Sequence, residues 1–148
     1  MTLNRSELRI WLKLVEGVTA LLDALDRQLR SDAGMSHDDY RILSRLHREP
    51  GRRLRMSALA DEVGFSPSRL SHAVGRLEGE GWVARTPGET DRRVVEAGLT
   101  DAGVDRVREV SVGHLDQVRH LVFETLGQDR ARETADALDQ IRRATSAN

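Results

Sequence analysis

Apolar residues near the start of the chain return at alternating three- and four-residue steps, through Leu8, Trp11, Val15, Val18, Leu22, Leu25 and Leu29. That spacing predicts a helix from about Ser6 to Leu29 with a heptad seam along one side. Leu14 and Leu21 widen the seam beyond a two-stranded coil, so it calls for a partner helix. Gly17 interrupts the pattern at ~1 kcal/mol relative to alanine, and reads as a close helix approach, a bend, or an incidental residue.

Asp32-Ala33-Gly34 closes this helix, and Ser36 with Asp39 resembles a capping box with aspartate in place of glutamate. A second helix follows, with Tyr40, Leu43, Leu46 and His47 on one face, and Pro50-Gly51 ends it. Arg52-Arg53-Leu54-Arg55 reads as a short extended run able to pair as a third strand. Ser57 is the expected N-cap of a third helix with Leu59, Ala60 and Val63 inward, stopped by Gly64. Ser66 caps a fourth, with Pro67 at its first position and Leu70, Ala73, Val74 and Leu77 as its buried stripe.

Past Gly79 and Gly81, Trp82-Val83-Ala84 and Val94, Val95 and Ala97 read as two strands, joined by a charged hairpin that turns at Pro87-Gly88. Thr100 caps a long fifth helix that runs through Val122 to Gly127, and a last helix from about Asp129 aligns Ala131, Ala135, Leu138 and Ile141. Two short helices, a tight turn and a charged hairpin in this order describe a winged helix-turn-helix. The fold class is therefore mainly α with a small β wing, flanked by terminal helices that dimerise. The expected divisions are residues 1–34, 35–99 and 100–148.

The polar face of the fourth helix displays Ser68, Arg69, Ser71, His72 and Arg76 beside the capping Ser66, hydroxyls and long donors suited to base edges or phosphates. Arg92 and Arg93 at the hairpin tip have the length and charge for a minor groove. Asp91 would repel phosphate if unoccupied, so it is expected to pair with a neighbouring arginine and fix its pose. The plainer reading of Arg92-Arg93 is a solvated turn, and of Ser71 a hydroxyl bonded to its own backbone.

Composition narrows the function classes. The 148 residues are 39% hydrophobic and 32% charged, ordinary for a soluble globular chain. No apolar run reaches the roughly 18 residues of a membrane span, and Arg5, Glu7, Arg9 and Lys13 break up the start of the chain. The expectation is a cytoplasmic protein without membrane contact. With no cysteine there is neither disulfide, thiolate nucleophile nor cysteine-based zinc site. The net charge of −1 hides an asymmetry: Pro50 to Arg93 carries eight arginines against six carboxylates, and the remainder after it seven against ten. DNA affinity should then rest on a few placed arginines.

Phosphate loops, nucleophile elbows and paired catalytic carboxylates are missing from the sequence, so no enzyme and no cofactor is expected. Asp116, His120 and Glu124 fall on one helix face at metal-ligand spacing. The same spacing suits a solvated face of intrahelical pairs, and that reading is preferred, so no metal is assigned.

Leu59-Ala60, Gly64-Phe65-Ser66-Pro67-Ser68, Arg76-Leu77-Glu78, Gly81, Arg85, Asp91-Arg92-Arg93 and Leu99-Thr100-Asp101-Ala102-Gly103 together resemble the multiple antibiotic resistance regulator (MarR) family of transcription factors. The resemblance implies that the helix beginning near Ser66 is the recognition helix and that Asp91 and Arg93 form the minor-groove contact. It also implies interlocked terminal helices in a two-fold dimer, and Leu8, Trp11, Val15, Val18, Leu22, Leu138 and Ile141 are the expected interface. Trp82, Glu96 and Gly98 depart from the family pattern, and Gly98 is expected to loosen its strand.

The expected protein is a homodimeric, ligand-responsive regulator, a repressor on a pseudo-palindromic operator in double-stranded DNA. The alternatives are a winged-helix interaction module without DNA binding and a metal-sensing regulator of the same fold. A small aromatic or anionic effector is expected where the first two helices meet the fifth, against Trp11, His37, Tyr40 and Arg41, residues that core and surface packing would equally explain.

Overall fold

A computed structural model describes residues 2–146. The first helix, α1, spans Arg5–Ala33, longer at both ends than the apolar seam indicates. Its start is a true capping box: the Asn4 side chain accepts the Ser6 and Glu7 N–H groups, and Glu7 accepts the Asn4 N–H at 2.7 Å. Only its C-terminal part enters the core, through Leu25 and Leu29. Residues 2–20 are exposed throughout.

Helix α2, His37–Arg48, starts where Ser36 Oγ accepts the Asp39 N–H at 3.0 Å, and buries Tyr40, Ile42, Leu43 and Leu46. His47, expected on the same face, is half-buried. A 3-10 turn over Pro50–Arg52 delivers the chain into strand β1, Arg53–Arg55. Helix α3, Met56–Val63, begins one residue before Ser57, with Arg55 at the N-cap and no side-chain cap. The expected Ser57 cap is thus corrected: β1 stays paired up to Arg55, so the helix starts directly from the strand and Ser57 lies in its exposed first turn.

Gly64 takes the left-handed conformation (φ 71°), which lets the Phe65 N–H turn back to the Ala60 carbonyl at 2.9 Å. The chain then enters α4, Pro67–Gly79, whose cap is the Ser66 hydroxyl accepting the Arg69 N–H at 3.2 Å. Strands β2, Val83–Pro87, and β3, Val95–Leu99, complete an antiparallel sheet in the order β1-β3-β2. Trp82 stays outside β2 because its N–H closes the α4 terminus onto the Leu77 carbonyl at 3.0 Å. Gly98 keeps its register, opposite Arg53 on one side and Ala84 on the other.

Helix α5, Asp101–Val118, is capped by Thr100 Oγ1, which accepts the Gly103 N–H at 3.0 Å. The single helix expected up to Gly127 is interrupted by a π-helical turn over Arg119–Glu124. That turn shifts the phase of the helix faces beyond it. Helix α6 spans Gln128–Ser146 and contributes only Ala131 to the buried set. The core is assembled from Leu29, α2, the inner faces of α3 and α4, Ala97 of β3, and Val107 and Val110 of α5. It thereby fixes the recognition elements against the end of α1 and the middle of α5. Among the described residues no helix is long and apolar enough to cross a membrane.

Candidate nucleic-acid interface

The inward stripe of α4 dictates which side chains are left for a ligand. With Leu70, Ala73, Val74 and Leu77 buried and successive residues about 100° apart, Ser68, His72, Gly75 and Gly79 lie opposite the core. Ser68 and His72 are exposed, and with Ser71, Gly75, Arg76 and Arg85 they line an open hollow of about 570 Å³.

Both flanks of this face are pinned. On one side Arg69 Nη2 donates to Asp38 Oδ2 at 2.5 Å, and Arg76 Nη2 to Asp39 Oδ1 at 3.0 Å, both acceptors belonging to α2. The Arg69 guanidinium also lies 4.0 Å from the centre of the Phe65 ring. On the other side Arg85 of β2 donates through Nε and Nη2 to Glu78 Oε2 at 3.0 and 2.7 Å, and through its backbone N–H to Glu78 Oε1 at 3.0 Å. Arg85 Nη1 also reaches Ser71 Oγ at 3.3 Å. The Arg85 guanidinium holds the Glu78 carboxyl below the usual carboxylate range, which keeps this link charged and joins the wing base to α4. Ser71 is therefore engaged by the wing.

The wing tip folds through the Gly88 N–H donating to the Val94 carbonyl at 2.7 Å and the Val94 N–H to the Asp91 carbonyl at 3.1 Å. Within it Arg93 donates to Asp91 three times: its backbone N–H at 3.0 Å and Nε at 3.2 Å, both to Oδ1, and Nη2 at 3.3 Å to Oδ2. Asp91 thus has the arginine partner expected for it. The side-chain bonds from Arg93 hold Asp91 below the usual carboxylate range, while the Arg93 side chain stays 92% exposed. The guanidinium is held in one plane with its remaining N–H groups turned outward. Arg92 is exposed and makes no ion pair among the described residues.

A second group of polar residues lies where α1, α2 and α5 meet. The Tyr40 hydroxyl shares a hydrogen bond with Ser111 Oγ at 3.1 Å, and its ring lies 4.3 Å from that of His114, centre to centre. His114, only 4% exposed, places Nδ1 3.0 Å from Gln28 Oε1. The His37 ring lies 5.9 Å from it, and burial pushes both imidazoles below their ordinary value, reinforced for His37 by Arg41 and for His114 by His37. Asp26 is held below the carboxylate range by the His37 N–H and then by Arg30. His37 and Arg41 open with Leu22, Asp26, Arg30 and Arg69 onto a cleft of about 370 Å³. Tyr40 is buried and does not line it. Trp11, expected with them, stands 15 residues before Asp26 on the same helix, 55% exposed. At 1.5 Å per residue that is roughly 22 Å away, so one protomer does not bring it to this group.

The metal alternative resolves into a pair: His120 Nδ1 lies 2.9 Å from Glu124 Oε2, without Asp116. Among the described residues no three His, Asp or Glu side chains converge to hold an ion. Sequence reading missed Asp38, Asp39, Phe65, Glu78 and His114 as members of these sites. The two aspartates follow a cap and read locally as helix-start acids, and nothing in a 31- or 37-residue separation signals their partners.

A helix presenting an uncovered polar face, joined by an arginine to a wing tipped with another, defines a winged helix-turn-helix DNA-binding module. Residues 33–94 match the sequence profile of the MarR family. The DNA-bound crystal structure of Sco3205, a MarR family transcriptional regulator from Streptomyces coelicolor, superimposes with a TM-score of 0.86 at 42% identity, over 99% of this chain and 89% of that one. AbsC, a second regulator of the family from Streptomyces coelicolor, gives 0.92 at 32% identity over 100% and 99%. The transcriptional repressor MdtR of Bacillus subtilis is 36% identical over 73 residues, 49% of this chain and 47% of that protein, so the match spans about half of MdtR. The chain belongs to the MarR family of DNA-binding transcriptional regulators, and these relatives are regulators and not enzymes.

Proposed function

We propose that the chain is a homodimeric repressor that binds a pseudo-palindromic operator in the cytoplasm and releases it when a small ligand binds. The observation that carries the reading is the outer face of α4, uncovered and coupled through Arg85 to a wing whose Arg93 is already held in pose by Asp91. In this arrangement Ser68 and His72 read base edges in the major groove, Ser66 stands at the helix start near the backbone, and Arg92 and Arg93 enter the minor groove. The name of MdtR as a repressor and the DNA in the Sco3205 crystal support the same assignment. Dimerisation is supported by α1, where Leu8, Trp11, Val15, Val18 and Leu22 are exposed, and by Leu138 and Ile141 of α6. Fully burying each such side chain is worth about 1.5–3 kcal/mol.

The ligand reading places a carboxylate or phenolate in the cleft beside His37, Arg30 and Arg41. Arg69 of α4 lines the same cleft, so a ligand there touches the helix that carries Ser68 and His72. A tenfold loss of operator affinity requires ~1.4 kcal/mol of coupling, and DNA must weaken the ligand equally.

The wing assignment is tested by substitution. Arg93→Ala is expected to weaken operator binding by ~1–3 kcal/mol, and Asp91→Ala by less, since it removes positioning and leaves the guanidinium. Fluorescence anisotropy with a labelled operator duplex measures both. Unchanged affinity for Arg93→Ala at moderate salt would remove the wing from the interface.

A further inference from the structure

The two α4 arginines that sequence reading gives to DNA are already partnered inside the chain. Asp38 holds Arg69 and Asp39 holds Arg76, at 2.5 and 3.0 Å. Both carboxylates stand in the first turn of α2, where the helix dipole favours negative charge. The pair is sheltered at its acceptor end, the Asp39 side chain being 16% exposed, and open at the Arg76 end, which is 59% exposed. Arg69 is further restrained by the Phe65 ring, and Asp38 also faces Arg41 at 3.8 Å. With Arg85 tied to Glu78 on the opposite flank, each of these three cations bordering the outer face of α4 has its own carboxylate.

We propose that Asp38 and Asp39 are specificity-determining residues, which hold Arg69 and Arg76 on the flank of α4 and so leave the base-facing surface to Ser68, His72 and Gly75. The proposal rests on the DNA-binding reading above. An arginine free to swing onto a phosphate adds affinity through counterion release, and it adds it to every duplex alike. Discrimination is the ratio of operator to random binding, so keeping these cations off the phosphates raises it. The short side chain at Ser68 and the bare backbone at Gly75 then let the helix approach the base edges, where the His72 ring offers a donor and an acceptor, with the phosphate contacts left to the wing and other arginines.

The test is a charge cycle in the full chain, comprising the unaltered protein, Asp38→Asn with Asp39→Asn, Arg69→Gln with Arg76→Gln, and all four changes together. Each is titrated with an operator selected from a random pool and with a random duplex of equal length, across a salt series. Asp39→Asn keeps the backbone N–H that Ser36 caps, and the two aspartate changes are also made singly, so that a poorly folding double variant does not decide the outcome. The aspartate variant is expected to bind random duplex roughly tenfold more tightly near 0.1 M salt. Its log–log salt dependence should steepen by about 0.9 for each freed arginine. Operator affinity should rise less, and the gain should vanish when both arginines are also replaced. Random-duplex affinity that stays the same or falls overturns the proposal. So does a gain that survives loss of the arginines, which would reflect the removed negative charge alone. If the unaltered chain binds no duplex at all, the DNA-binding reading falls with it. If the unaltered chain binds the operator normally, those other results overturn this proposal alone.

Discussion

Val18→Asp combined with Leu22→Asp is expected to give monomers or unfolded chain, and to abolish operator binding at protein concentrations that saturate it for the unaltered protein. Both side chains lie on the exposed stretch of α1, at 38% and 45% exposure in the single protomer. A stable interface buries about 1,200–2,000 Å² in total, and the exposed Leu8, Ile10, Trp11, Leu12, Leu14 and Val15 of the same helix, with Leu138 and Ile141 of α6, supply apolar surface for it. Two carboxylates placed in that seam lose the burial of two aliphatic groups and must be desolvated without a partner. A monomer also loses the effective concentration that lets the second recognition helix find its half-site. Sedimentation velocity and duplex titration together check the outcome. A stable monomer that still binds operator would contradict the dimer reading.

Gly103→Ala is expected to cost about 3 kcal/mol or more in folding free energy, at the upper end of overpacking effects. A Cβ at this position would overlap the carbonyl oxygen of Trp82, and would lie 3.0 Å from its carbonyl carbon and 2.8 Å from Leu99 Cδ1. The obstacle is backbone and has no rotamer to escape into. It is also anchored: the Trp82 carbonyl accepts the Thr100 N–H at 3.0 Å, and Thr100 Oγ1 donates to the Gly81 carbonyl at 2.6 Å. The start of α5 therefore lies directly against the turn between α4 and β2, and a methyl group there pushes α5 away from the winged elements. Urea denaturation monitored by tryptophan fluorescence measures the loss. A midpoint equal to that of the unaltered chain would show that the close approach is not required.

These two positions also mark what sequence reading reaches. The seam around Val18 was legible because helix periodicity is local, and so were the caps at Ser36, Ser66 and Thr100, each a side chain bonding an N–H three residues on. The need for glycine at 103 was visible only as part of a family motif, since its reason is a contact with the backbone of Trp82 in the turn before β2. Arg69 and Arg76 read as DNA donors because helix spacing puts them among the polar residues of α4. Their partners Asp38 and Asp39 become apparent only once α2 and α4 are packed. The same limit separated Trp11 from His37, Tyr40 and Arg41, whose shared polarity did not encode shared position. Ser57 failed as a cap for a different reason, because pairing of β1 with β3 overrode a local preference.

Whether paired recognition helices of a dimer read a two-fold site is decided by selecting binding sites for the full chain from a random duplex pool and then inserting five base pairs at the centre of the selected site. Pseudo-palindromes whose half-site centres lie about one helical turn apart, ~34–36 Å, or a multiple of it, should be enriched, with binding lost on the half-turn insertion. Enrichment of single, unpaired half-sites, or unchanged affinity after the insertion, would contradict it.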